Sequence, residues 1–544
     1  MMARLVCCIF LLFMGKAWAQ STSWTIPEAV IRATQEIEVP TASVPRRLAG
    51  ENQVLSPALQ ELLQQTYTGT RSGDLVALRI VLKERMPDRL QATLERLGGV
   101  FETRWENTAY ARLPARQVQV LAHAFEEIAR IEPQALVDAQ SLPAEPRSAR
   151  MALPAKLRAL QQRAHGGRGI RIGILDFGFS GYPAAGLPPP LSARAFSPET
   201  RIFAGSKHGT QCAALIHQIA PEASLVLASV GDGGKAGEGQ VLAAAQWLAA
   251  QGVQFVNISA SGYVSALDGS APLDQLINQQ SAAGSIWVVA AGNQALTHWR
   301  GAIADANHNG WVDLGLPGRG DLLVFEVTQP GSISIALNWT PWDGHGADLD
   351  AFLYAVQDDG KATLLAQAET LQPSGAVRPV ETLTRTLPAG FYLLGIRTTR
   401  VERPGVVNVF VSGAAHLSPA RSAGSVGSPG TAQAALTVGV AEGDASAAFS
   451  SRGPTEDGRS KPEILVPAMT GDFVGTSAAT PVVTGIAALL QAGDGKPARV
   501  RLEKALRQSA RATQDASAVW GVLDLDAVQM DLRNGSPSSA KQRQ

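Results

Sequence analysis

The feature that most constrains this chain is a series of short, unbroken apolar runs that begins near residue 169. GIRIGILD, SLVLASV, QFVNISA, SIWVVAAGN and, much later, ALTVGVA share this texture. A half-buried strand alternates apolar and polar residues, whereas a strand buried on both faces reads as a continuous apolar run. Helical stretches separate the runs, so they predict a mostly parallel sheet covered on both faces, an α/β architecture in three layers. At 544 residues the chain is too long for that domain alone, because a domain takes ~100–200 residues.

Two other textures account for the excess. Residues 73–132 read as strand LVALRIVL, a helix opened by Pro87, strands VFETRW and TAYARLP, a second helix with Val118, Leu121, Phe125 and Ile128 on one side, and strand ARIEP. That β-α-β-β-α-β order predicts a ferredoxin-like α+β unit over 73–137. Between 298 and 416, FEV, SISIALNW, LDAFLYAV, FYLLGIR and VVNVFVSG are strands joined by polar turns, which predicts an all-β sandwich module inserted into the α/β domain. The α/β domain therefore divides into 168–297 and 417–530. Residues 138–167, rich in Ala, Pro and Arg, read as a linker, residues 20–72 as an N-terminal extension, and 531–544 as a disordered tail.

The first nineteen residues carry an early Arg4, an apolar core from Leu5 to Met14 and the small-x-small trio Ala17-Trp18-Ala19. This is the layout of a cleavable secretory signal, so a secreted chain, extracellular or periplasmic, is expected. Removal of the signal takes Cys7 and Cys8 and leaves Cys212, which excludes an internal disulfide. Cys212 lies in the apolar stretch CAALI and reads as a packed core thiol. Basic and acidic residues number 47 each, and the absence of a basic excess excludes binding of nucleic acid by bulk charge. No later apolar run is long enough to span a bilayer.

Open α/β sheets place their sites beyond the carboxyl ends of the strands. Asp176 ends RIGIL, Ser259 follows QFVNI, and Asn293 follows WVVAAG, while His208 and Ser477 stand at the starts of expected helices. A serine hydroxyl becomes a good nucleophile when an imidazole takes its proton and a carboxylate fixes that imidazole's tautomer. An Asp, a His and a Ser on one rim are those parts.

Three blocks, GIRIGILDFGF at Asp176, HGTQCAALI at His208 and GTSAATPVVTG at Ser477, stand in the order Asp, His, Ser. With VVAAGN before Asn293, SVGSPGTAQAALTVGV and FSSRGPTEDGRSKPEILVPA, they resemble the subtilisin-like serine peptidases, the subtilases. The resemblance covers 168–297 and 417–530. It implies Asp176, His208 and Ser477 as a catalytic triad and Asn293 as oxyanion donor with the Ser477 backbone N–H, Gly475 leaving room for the substrate. It implies a substrate-binding wall of Ser259, Ala260, Ser261 and Gly262, with Ala290 and Gly292 near its base and LASVGDGG (227–234) as the edge strand for an extended peptide. Segment 73–137 sits where subtilase propeptides sit, implying an intramolecular inhibitor cut off within 138–167. One residue departs: Phe177 stands where the family has a small hydroxyl residue, which implies a lost loop hydrogen bond or a reshaped pocket.

The expected function is thus a secreted serine endopeptidase that hydrolyses polypeptides through an acyl-enzyme, made as a self-processed precursor and acting as a monomer. The alternative is a catalytically inactive secreted protein on the same scaffold that binds through its β-module. No cofactor is expected for the chemistry. Asp305, Asn307, Asn309 and Asp313, with Gly310 for the turn, match the first part of a calcium loop, although Leu316 replaces its closing acid; the competing reading is an Asx-rich hairpin.

Overall fold

The structure, a computed structural model, describes residues 25–37, 54–68, 75–139, 153–197, 201–231, 234–316, 320–372, 378–443, 445–467, 473–493, 498–508, 510–511 and 522–534. The signal expected over 1–19 and most of the expected tail lie outside them.

The apolar runs form the middle of one large sheet. Its order is Ser192–Ala195, Ser224–Ser229, Arg171–Asp176, Phe255–Ile258, Ile286–Ala290, Leu436–Glu442, Ile464–Pro467 and Val522–Leu523, all parallel, with Ala510–Arg511 antiparallel at the far edge. Both faces are buried. Ile172, Ile174, Leu227, Val288 and Val438 pack one face against helices His208–Ile219 and Thr476–Ala492. Leu175, Val226, Val256, Ile258 and Val289 pack the other against helices Glu238–Ala250 and Pro272–Ala282. The chain builds leftward from Arg171–Asp176 with two strands, then returns to build rightward from Phe255–Ile258. That reversal opens a crevice beyond the carboxyl ends of these two strands, where Asp176 and Ser259 lie.

Ahead of this domain, strands Leu75–Leu82, Val100–Trp105, Thr108–Pro114 and Ile128–Pro133 pair antiparallel in the order second, third, first, fourth. Helices Arg89–Arg96 and Val118–Ala124 complete the β-α-β-β-α-β unit. Two helices that the sequence reading did not anticipate precede it, Glu28–Glu36 and Pro57–Thr68. Leu59 and Leu63 of the second are buried against the unit's own core. The stretch read as a linker also needs correction at both ends. Leu136–Ala139 is a strand, and Ala155–Arg163 is a helix whose Leu157 and Leu160 are buried in the core of the large sheet. The helix follows Pro154, and its two leucines three residues apart are enough to seat it.

After Ile286–Ala290 the chain leaves the parallel sheet and rejoins it at Leu436–Glu442. Between them lie two antiparallel sheets. One orders His298–Ala302, Val406–Ser412, Gly331–Trp339 and Val380–Leu387; the other orders Ala362–Ala368, Ala347–Val356, Gly390–Val401, Leu322–Val327 and His416–Ser418. Inward residues of both, such as Ile335, Leu337, Leu323, Leu353 and Val409, form a single core.

Candidate active site

Asp176 closes its strand with its carboxylate buried in the crevice, and the N–H of Phe177 donates to its Oδ1 at 2.8 Å. His208 opens a helix whose second residue must be glycine, because a Cβ on Gly209 would lie 2.6 Å from the Gly178 carbonyl oxygen and 2.9 Å from the Asp176 Cβ. Thr210 adds a hydroxyl bond to the Ser180 carbonyl oxygen at 3.0 Å. The HGT run thus seats this helix hard against the Asp176 loop. The imidazole then meets both carboxylate oxygens through Nδ1, at 2.8 and 2.9 Å. Nε2 is buried and has no hydrogen-bond partner.

Ser477 is the second residue of the helix Thr476–Ala492 and is fully buried. Its Oγ donates to the Ser259 carbonyl oxygen at 3.4 Å, and the Ser259 hydroxyl donates back to the Ser477 carbonyl oxygen at 3.2 Å. One turn after His208, the Cys212 Sγ lies 3.8 Å from that Ser477 carbonyl oxygen and 3.5 Å from the Ser259 Oγ. The two helices that carry His208 and Ser477 therefore touch at the site. A polar chain that the sequence reading missed stands behind Ser259: the Thr484 hydroxyl donates to Asn257 Oδ1 at 3.0 Å, and Asn257 Nδ2 donates to Ser259 Oγ at 3.2 Å. Phe473 is a further omission, its ring edge-on to His208 with centroids 5.2 Å apart.

Asn293 points its side chain at the start of the same helix. Its Oδ1 accepts from the Thr476 N–H at 3.0 Å and the Thr476 hydroxyl at 3.1 Å, which turns the amide Nδ2 toward Gly475. Gly475 has φ +93°, and a Cβ there would sit 2.9 Å from Asn293 Nδ2. Only glycine keeps that amide accessible from the cleft.

The cleft holds a strand of the chain itself. Leu136–Ala139 lies antiparallel between Lys235–Gly237 and Ala260–Ser261, with Val137 opposite Ala236, Asp138 opposite both Lys235 and Ser261, and Ala139 opposite Ala260. The side chain of Val137 is buried among Val241, Ala260 and Leu273.

A model of the subtilase family matches residues 167–320 and 399–522, just over half of the chain. The chain belongs to the subtilase family. It is 34% identical over 146 residues to the alkaline elastase YaB of a Bacillus species, a match that takes in 24% of this chain and 36% of that protein, so it spans about a third of that relative's length. Among solved structures, the CspB protease of Clostridium perfringens superposes with a TM-score of 0.50 at 18% identity, covering 70% of this chain and 96% of that one. The second likeness concerns the fold, the three-layer α/β/α arrangement around a parallel sheet.

Of the residues singled out in the sequence, Asp176 and His208 meet directly and Ser259 and Ser477 exchange hydrogen bonds; three other positions need comment. The edge strand is Lys235–Gly237, a few residues beyond 227–234. At Phe177 the backbone N–H bonds Asp176 Oδ1, while the ring, which offers the loop no hydrogen bond, is buried with Leu175, Val226 and Ala228. In the Asp305 loop, the side-chain oxygens offered to calcium accept the loop's own amide hydrogens. Asn309 N–H donates to Asp305 Oδ1 (3.0 Å) and Asn307 Oδ1 (3.1 Å), Gly310 N–H to Asp305 Oδ2 (2.8 Å), Ala306 N–H to Asp313 Oδ2 (2.8 Å) and Trp311 N–H to Asn309 Oδ1 (2.9 Å). These are Asx-turn bonds, the pattern of the competing hairpin reading. Of the remaining binding-wall residues, Gly262 exchanges backbone hydrogen bonds with Ser428, Gly292 N–H donates to the Thr476 hydroxyl at 3.2 Å, and Ala290 is buried in its strand.

Asp176, His208 and Cys212 present ligand atoms within 4.8 Å of one another. Asp176 and His208 spend these atoms on each other, and burial, reinforced by the Asp176 charge, pushes the Cys212 thiol well above its ordinary pKa. No helix among the described residues is long and apolar enough to cross a membrane.

Proposed function

We propose that this subtilase is a secreted serine endopeptidase in which Asp176, His208 and Ser477 form the triad. The observation that carries the reading is the His208 imidazole, held at Nδ1 by both oxygens of Asp176 with its buried Nε2 unpartnered beside the helix of Ser477. The chemistry requires a rotation about the Ser477 Cα–Cβ bond that exchanges the Ser259 carbonyl for Nε2. Ser477 Oγ then attacks the peptide carbonyl as Nε2 takes its proton, and Asp176 stabilises the imidazolium. The oxyanion collects hydrogen bonds from Asn293 Nδ2 and the Ser477 N–H. Collapse expels the amine, protonated by His208, and water clears the acyl-enzyme by the reverse proton path. No cofactor enters this chemistry, and a calcium ion in the 305–313 loop would be structural.

Within the same proposal, residues 73–137 are the propeptide, with Leu136–Ala139 lying as a substrate's acyl side would. Ala139 is opposite Ala260, and Ala260 adjoins Ser259, the residue bonded to Ser477. On that basis the self-cut is proposed at Gln140–Ser141, inside the stretch 138–167. Substrate polypeptides would add to Lys235–Gly237 and Ala260–Ser261 in the same way, with Ser259, Ser261, Gly262, Ala290 and Gly292 around the side chain next to the scissile bond.

The competing reading, an inactive binding protein, draws on the Ser477 hydroxyl facing Ser259 in place of His208. A fluorophosphonate probe separates the two. The peptidase reading expects labelling of the wild-type chain, none of Ser477→Ala, and a new N-terminus at Ser141 that the variant lacks. Equal labelling of both chains, with neither cut, would leave the inactive reading standing.

A further inference from the structure

The outer face of the five-stranded sheet in the inserted module is apolar. Along Leu322–Val327 and Ala347–Val356, Leu323, Phe325 and Leu353 point into the sandwich, while Leu322, Val324, Phe352 and Tyr354 point away from it. An antiparallel sheet with one solvated face carries polar residues there. Here Trp311 and Leu393 extend the apolar patch, and helix Glu28–Glu36 covers it. Ile26, Val30, Ala33 and Ile37 recur at helical spacing and pack onto it, Ala33 without any exposure. The backbone comes close as well, since a Cβ on Gly360 would lie 3.3 Å from the Ala29 carbonyl oxygen.

The same module reaches the N-terminal segment at a second place. Arg378, just ahead of strand Val380–Leu387, donates from Nη2 to the Pro133 carbonyl oxygen at 3.1 Å and sets Nε 3.4 Å from Glu132 Oε2. Its Nη1 lies 3.7 Å from Glu238 Oε2, at the start of the helix that follows the edge strand. Glu132 and Pro133 stand immediately before the strand that fills the cleft. The N-terminal segment is therefore gripped at two places ahead of its cleft strand, by an apolar face near its start and by a partly buried guanidinium just before the strand.

We propose that the inserted module is a docking surface for the chain's own N-terminal segment, and that it holds residues 25–139 on the α/β domain after the chain is cut behind them. This rests on reading that segment as a propeptide. The module then acts as a second anchor, independent of the cleft, and scission alone does not empty the cleft.

The test uses the full chain carrying Ser477→Ala, with the recognition sequence of an external protease placed between 141 and 150. After that protease has cut, release of the N-terminal piece is followed by size-exclusion chromatography over time. The piece is expected to stay bound in this parent chain. Val30→Asp with Ala33→Asp, and separately Arg378→Met, should speed release roughly ten-fold or more, since each removes a buried contact. Arg378→Met leaves the helix intact, so a failure of the helix to form in the first variant does not decide the matter. Faster release in either variant supports the proposal. Equal rates in all three chains, or immediate release from the parent, overturn it. Neither result depends on hydrolysis by this chain, so a wild-type protein without peptidase activity would sink the function proposed above and leave this one standing.

Discussion

Thr476 precedes the proposed nucleophile, yet its work is done on Asn293. Its hydroxyl donates to Asn293 Oδ1 and accepts from the Gly292 N–H, and its own N–H binds the same Oδ1. An amide anchored by its oxygen has only its nitrogen left to offer the cleft. Such pre-aimed donors act on charge that develops in the transition state, so their loss lowers kcat more than it raises KM. Asn293→Ala is expected to lower kcat by ~10²–10³ with KM nearly unchanged. Thr476→Val keeps the backbone bond and frees the amide partly, so a smaller loss is expected, again in kcat, and Thr476→Ser should restore most of it. Steady-state kinetics on a peptide substrate check this. A Thr476→Val effect confined to KM or to melting temperature would show that the hydroxyl only packs.

Elements are tied to the cleft by Asp274 of the helix Pro272–Ala282. The Ser428 and Thr431 hydroxyls donate to its two oxygens at 2.8 and 2.7 Å, and Ser428 in turn pairs with Gly262 of the proposed binding wall. Burial pushes the Asp274 pKa up to about 7 against the pull of those two hydroxyls. A raised carboxyl contributes stability that is full below its unfolded pKa near 3.8 and is lost as pH rises through about 7. Asp274→Asn keeps an acceptor and cannot ionise. Its melting temperature relative to wild type should therefore be more favourable at pH 8 than at pH 5; a difference independent of pH would mean that Asp274 does not titrate in this range. The sequence made elements of this kind legible wherever local pattern and burial agree, as in the apolar runs of the large sheet and the HGT and GTS helix starts. It hid Lys235–Gly237 and Leu136–Ala139, because a three- or four-residue strand with Gly, Lys or Asp has no period to read and exists only where a partner strand supplies hydrogen bonds. Helix Glu28–Glu36 escaped for a related reason, since its few apolar positions make sense only against a sheet face three hundred residues away. Asn257 and Thr484 look like ordinary strand and helix residues until the fold brings them behind Ser259.

The molecule as a whole is three bodies that meet around one carboxylate. Glu132, on the last strand of the N-terminal unit, receives Arg79 from its own sheet at 2.9 Å, Arg378 from the inserted module at 3.4 Å, and Arg130, while Arg378 passes on to Glu238 of the α/β domain. Beside it, Gln134 accepts from the Gly239 N–H at 2.9 Å and so meets the amino end of the helix Glu238–Ala250. Burial works against the charge on Glu132, but Arg378, then Arg79 and Arg130, outweigh it and hold the carboxyl below its ordinary 4.5. Arg79 and Arg130 stay with Glu132 on release, so the attraction to Arg378 is the part that contributes to binding, and it is lost as pH falls through the pKa of the bound carboxyl. In the cut Ser477→Ala chain, release of the N-terminal piece should thus be slow and flat at neutral pH and accelerate below about pH 4.5. Glu132→Gln leaves three guanidinium groups facing a neutral amide, so its release should already be fast at pH 7 and should lose most of the acid acceleration. The release rate measured from pH 7 to pH 3.5 decides the point. If Glu132→Gln releases as slowly as the parent at pH 7 and accelerates as steeply in acid, the junction is held by packing, and the charges around Glu132 only accompany it.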